Sequence, residues 1–197
     1  MDSTIKIDIA NKYGNEVKLL PYENTFPNLH ETVFLASGSK VIGDVIIGKD
    51  SSIWYNTVVR GDVNYIRIGE KTNVQDCSML HVTNKKFPLI IGNKVTIGHS
   101  VTLHGCVLKD SCLIGMNAVV LDGAVVEVNS MVAAGSVVRP GFIVPNSKLV
   151  AGVPAKVVRD LTEEELQEFE KSAERYVKYT KTTVASLIEF INKMEPK

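Results

Sequence analysis

The chain has 197 residues, an apolar fraction of 45%, and 22 basic against 22 acidic side chains. That length suits one domain with an appendage, and balanced charge gives no electrostatic reason to expect nucleic acid or an acidic membrane surface as a partner. No apolar run approaches the roughly 18 residues that a membrane helix needs, and the opening stretch MDSTIKIDIANKYGNE lacks the apolar core and cleavage site of a secretory leader.

Residues 1-28 read as an N-terminal strand and loop that caps a repeat array. From Leu29 a period of six takes over. Aliphatic residues stand at Leu29, Leu35, Val41, Ile47, Ile53 and Val59. After a three-residue insertion they resume at Ile68, Val74 and Leu80, and after a five-residue insertion at Ile91, Ile97 and Leu103. One residue is then dropped, and the series continues at Leu108, Ile114, Val120, Val126, Val132 and Val138. Four residues after most of these the side chain is small or β-branched, as at Ser39, Thr57, Thr72, Ser78, Cys112, Ala118 and Ser136. A β-sandwich predicts period two with irregular turns, not a strict six with a second filter. Such an array reads as short strands and tight turns, with the aliphatic residue in the core and the small one at a corner. It resembles the left-handed parallel β-helix of hexapeptide-repeat proteins. That resemblance implies a mainly β fold with three hexads per coil and roughly six coils.

After Val138 the segment PGFIVPNSKLVAGVPAKVVRD reads as a loss of strict register, so the β-helix is placed at 29-158. Thr162 and Glu165 have the spacing of a capping box. Leu166, Phe169, Ala173, Tyr176, Val177, Thr180, Val184, Leu187, Ile188 and Ile191 then recur at three and four, which predicts an amphipathic helix within 159-197, packed on the β-helix and broken near Thr182 and Thr183. Cys77, Cys106 and Cys112 lack zinc-ribbon or CxxC spacing and read as reduced thiols of a cytoplasmic protein.

Register sorts the histidines. His81 and His104 are each second in their hexads, three hexads apart, and Arg60 stands three hexads before His81. These three form one file. His99 is third in its hexad on the adjoining face, where the equivalent place one coil earlier is Asp76, with Gln75 beside it. A single prism struggles to bring both files onto one ion, whereas prisms packed around a threefold axis bring the second file of one against the first file of its neighbour. Three neutral imidazoles with an open fourth position are the pattern of a catalytic zinc site.

VVRGD (58–62), NVQD (73–76), the isolated His81 and GHSVTLHG (98–105) resemble the γ-class carbonic anhydrases over nearly the whole chain. The resemblance implies a homotrimer in which His81, His99 and His104 bind Zn2+, or Fe2+ or Co2+, between subunits. It implies reversible hydration of carbon dioxide to bicarbonate by a metal-bound hydroxide. Gln75 would hydrogen-bond the metal-bound water, Arg60, Asp62, Asn73 and Asp76 would serve substrate or interface, and Tyr176, or else Tyr179, would reach the pocket from the terminal helix. The loop VTNKKFPL (82–89) carries no acid, and Val63 replaces a glutamate of active relatives, so the proton route is left open. Two alternatives stand beside this reading: an acyl-CoA-dependent hexapeptide acyltransferase, for which AGVPAK (151–156) speaks, and a weakly active or non-catalytic metal-binding trimer.

Overall fold

A computed structural model describes residues 18–194; the first part of the 1-28 cap and the last three residues of the 159-197 segment lie outside them. The polypeptide is a parallel β-solenoid followed by one C-terminal helix. Short strands wind through three faces. One face stacks Val58, Met79, Thr102, Val119 and Val137 in register. The next stacks Arg67, Ile90, Val107, Val125 and Ile143. The third stacks Phe34, Ser52, Asn73, Thr96, Leu113, Met131 and Leu149. Every aliphatic position of the six-residue series from Val41 onward is buried. They fill the interior because alternate residues of a strand point to opposite sides of it.

The insertions are absorbed without loss of register: Ile47, Ile68, Ile91 and Leu108 stay on one ladder. The small residues four places on turn the corners, where several use their hydroxyls to bind carbonyls of other turns. Ser51 Oγ donates to Gly69 O and Ser78 Oγ to Gly98 O. One corner repeats a left-handed residue in successive coils, at Asn56, Cys77, Ser100 and Asn117, with φ between 57° and 60°. Their amides donate in turn along the stack, Cys77 to Tyr55 O, Ser100 to Asp76 O and Asn117 to His99 O. Asp76 and His99 are thereby fixed one above the other.

The repeat runs further than its sequence pattern indicates. Val144 and Val150 are fully buried and continue the six-residue series, pairing through the strands at Val126 and Val132. The solenoid therefore has about seven turns rather than six. Phe142 and Lys148 occupy the places of the small residues, and Pro140 and Pro145 interrupt the run, so the pattern fades in sequence while the backbone continues. An antiparallel hairpin, Lys148–Gly152 with Ala155–Asp160, closes the end.

The helix spans Glu163–Met194. Its capping box forms as its spacing predicts: the Thr162 N–H donates to Glu165 Oε2 and the Glu165 N–H to Thr162 Oγ1. The expected break at Thr182 and Thr183 is absent. The hydroxyls of Thr180, Thr182 and Ser186 bond back to carbonyls of the preceding turn, so these residues are satisfied inside the helix. Phe169 and Ala173, four apart, bury against the third face. Ser172 meets the Thr96 hydroxyl at 3.1 Å, and Lys71 reaches Glu174.

Candidate metal centre

His81 and His104 end paired parallel strands, Met79–His81 and Thr102–His104, and lie directly opposite in register. Their rings converge. His81 Nδ1 and His104 Nε2 are 3.1 Å apart. The remote nitrogen of each ring meets a carboxylate: His81 Nε2–H donates to Asp62 Oδ1 at 3.0 Å, and His104 Nδ1–H to Asp122 Oδ1 at 2.7 Å. Asp62 also binds the Arg60 guanidinium and accepts the Val63 N–H at 2.9 Å. Arg60, His81 and His104 lie together, as their file predicts, and Asp62 and Asp122 join them.

Electrostatics at the His81–Asp62 pair favour neutral imidazole beside ionised carboxylate. Burial pushes the His81 pKa down, outweighing the pull of Asp62. Burial acts to raise Asp62, but hydrogen bonds from His81 and Arg60 outweigh it and hold the carboxyl below its ordinary value. With Asp62 accepting from His81 Nε2 and Asp122 from His104 Nδ1, the nitrogens left over, His81 Nδ1 and His104 Nε2, face each other. Two lone pairs at that distance repel unless a cation lies between them.

His99 belongs to a second cluster. Its Nδ1 is 2.7 Å from Asp76 Oδ2, which leaves Nε2 as the outer nitrogen. A cavity of about 350 Å³ beside it is lined by Trp54, Tyr55, Asp76, His99, Tyr176 and Tyr179, with Thr182 and Thr183 at its edge. Tyr176 packs edge-on against Trp54 and Tyr179, with ring centroids 5.6 and 5.5 Å away. Burial, then the charge of Asp76, raises its pKa, so it stays a phenol at neutral pH. Within one chain, no group of three or more His, Cys, Asp or Glu side chains among the described residues could hold a metal ion.

Gln75 and Asn73 form a third group, buried behind the second. Gln75 Nε2 donates to Asn73 Oδ1 at 3.1 Å, and Asn73 Nδ2 donates to Thr96 Oγ1 at 3.0 Å, which meets Ser172 of the helix. Asn73 thereby ties Gln75 to the helix. Sequence reasoning missed Asp122 and Trp54. Asp122 comes directly after Leu121, which occupies the same place in its hexad as His81 and His104, so the file itself pointed one residue short of it. Trp54, the chain's single tryptophan, packs between Phe34 of the preceding coil and Tyr176 of the helix, a pairing that no sequence spacing shows.

The donor chemistry fits a tetrahedral divalent ion. Two nitrogens each about 2.0 Å from such an ion stand roughly 3.3 Å apart, close to the spacing of His81 and His104. Each histidine has its own carboxylate on the other ring nitrogen, the arrangement that fixes ring orientation in histidine-ligated metal centres.

A six-residue solenoid with paired histidines at one edge defines a hexapeptide-repeat protein with a histidine-based centre. No protein-family profile matches the chain. It is 54% identical over 154 residues to a probable carbonic anhydrase of Methanocaldococcus jannaschii, covering 78% of this chain and 96% of that one. It is 47% identical over 156 residues to the mitochondrial gamma carbonic anhydrase 2 of Arabidopsis thaliana, covering 77% of this chain and 56% of that one. A solved structure of a hexapeptide transferase family protein from Anaplasma phagocytophilum superposes with a TM-score of 0.81 at 47% identity, covering 85% of this chain and 98% of that one. The chain belongs to the γ-class carbonic anhydrase family. None of its described helices is long and apolar enough to cross a membrane.

Proposed function

We propose that the protein is a metal-dependent carbonic anhydrase that interconverts carbon dioxide and bicarbonate at the interfaces of a homotrimer. The observation that carries this is the convergence of His81 Nδ1 and His104 Nε2 to 3.1 Å, with a carboxylate behind each ring. His81 and His104 of one protomer, with His99 of a second, would hold Zn2+, with Fe2+ or Co2+ as alternatives. Asp62, Asp76 and Asp122 against Arg60 leave an excess of negative charge that a divalent cation offsets. The ion would supply Lewis acidity, lowering the pKa of a coordinated water to about 7.

The protein's own groups do the rest. Asn73 orients the Gln75 amide by taking one of its N–H groups, so that Gln75 can bind the attacking water and hold its lone pair toward carbon. Arg60, anchored through Asp62, presents positive charge to the bicarbonate anion. Trp54 and the Tyr176 ring line the cavity on the His99 side. The loop at 82–89 has lysines and no acid, so the product proton passes to buffer.

Elemental analysis and stopped-flow hydration test the reading together. Close to one divalent ion per chain, with hydration lost in His104→Ala, is the expected result. Metal-free protein that keeps its fold and transfers acyl groups from acyl-CoA to amines refutes it in favour of the transferase reading. Bound metal with equal hydration rates in wild type and His104→Ala leaves a non-catalytic trimer.

A further inference from the structure

We propose that Asp122 is a positioning residue that stops His81 and His104 from hydrogen-bonding each other and so keeps both ligand nitrogens open. The inference rests on the proposed metal centre. The two rings stand at hydrogen-bond distance, 3.1 Å between His81 Nδ1 and His104 Nε2. Left alone, neutral imidazoles in that position relax by placing a proton on His104 Nε2, which then donates to His81 Nδ1. Both ligand atoms would be consumed by that one bond. Asp122 prevents it by holding the His104 proton on Nδ1 at 2.7 Å, a charge-assisted bond stronger than the neutral imidazole pair. Asp62 already fixes His81 in the complementary sense.

Asp122 is itself held. Its Oδ1 also accepts the Thr83 hydroxyl at 2.9 Å. Thr83 is the second residue of the loop at 82–89, where it bridges to Phe87, and its carbonyl accepts Asn64 Nδ2 at 3.0 Å. The loop is pressed onto the coil at Gly105, where φ is +52° and a Cβ would lie 2.7 Å from Phe87 Cβ. The short, acid-free loop is thus the clamp that aims Asp122 at His104.

The test uses the full-length protein with Asp122→Ala, Asp122→Asn and Thr83→Val, read by ¹⁵N NMR of the histidine rings in metal-free protein and by zinc titration. In wild type His104 Nδ1 carries its proton. In Asp122→Ala that proton moves to Nε2, and zinc affinity falls about 10- to 100-fold while circular dichroism is unchanged. Asp122→Asn, which keeps an acceptor without charge, and Thr83→Val give smaller losses in the same direction. An Asp122→Ala protein with the wild-type His104 tautomer overturns the proposal, as does one with wild-type zinc affinity. Wild-type protein that takes up no zinc refutes the metal reading alone, since the ring tautomer still decides whether Asp122 positions His104. If Asp122→Ala fails to fold, the other two variants carry the same decision.

Discussion

The proposed centre divides its ligands unequally between protomers, and that division has a quantitative consequence. His81 and His104 are register partners within one chain, whereas His99 sits in the other file, bonded to Asp76. A His99→Ala chain can therefore offer the histidine pair but not the third ligand, and a His104→Ala chain the reverse. Each alone should bind little zinc and hydrate carbon dioxide slowly. Co-expressed in equal amounts, the two chains assemble at random around the threefold axis. A complete centre needs a His99→Ala chain on one side of an interface and a His104→Ala chain on the other, in that order. Half times half gives about one quarter of the wild-type centres. Zinc per chain and hydration rate should both recover to about that fraction in the mixed protein. A mixture with no more zinc than the two single variants refutes the shared centre. So does full occupancy in His99→Ala alone, because the pair would then need no partner.

Packing and charge set three further outcomes. Leu103 is fully buried between Leu80 and Val120 of adjacent coils, so Leu103→Ala should cost about 2–5 kcal/mol in urea denaturation, and a cost well under that range would mean the coils close up over the cavity. Tyr176→Phe keeps the ring stack with Trp54 and Tyr179; stability and zinc content should hold, and a fall in hydration rate would assign a role to the phenol itself. Arg159, then the Thr162 N–H, holds the Glu165 carboxyl down at about 2 from an ordinary 4.5. Because the folded value is the lower one, the cap contributes fully above 4.5 and fades as pH falls toward about 2. Helical circular dichroism should decline across that window in wild type, and Glu165→Gln should lack that step.

The period of six, the buried column and the two histidine files were legible in the sequence, because they are properties of a backbone that repeats. Each turn imposes the same steric demand, an aliphatic residue inward and a small one at the corner, so each turn writes the same pattern. Five residues from His99 to His104 place them on different files for the same reason. Where the corner demand is met by other means, at Phe142 and Lys148, the pattern was lost although the coil was not. The helix shows the opposite limit. Thr182 and Thr183 lower local propensity, but hydroxyl bonds to the preceding turn at Thr180, Thr182 and Ser186 offset it.

The tertiary structure decided what the rings do. Which nitrogen of a histidine is free depends on what lies behind it, and here Asp62, Asp76 and Asp122 arrive from other coils. Asp76, one coil before His99, was visible in the repeat, but Asp62 and Asp122 lie out of file with His81 and His104, and their roles depend on side-chain direction rather than on the repeat. Sequence alone therefore placed the histidines in files; three-dimensional contact with carboxylates turned two of them toward a common point.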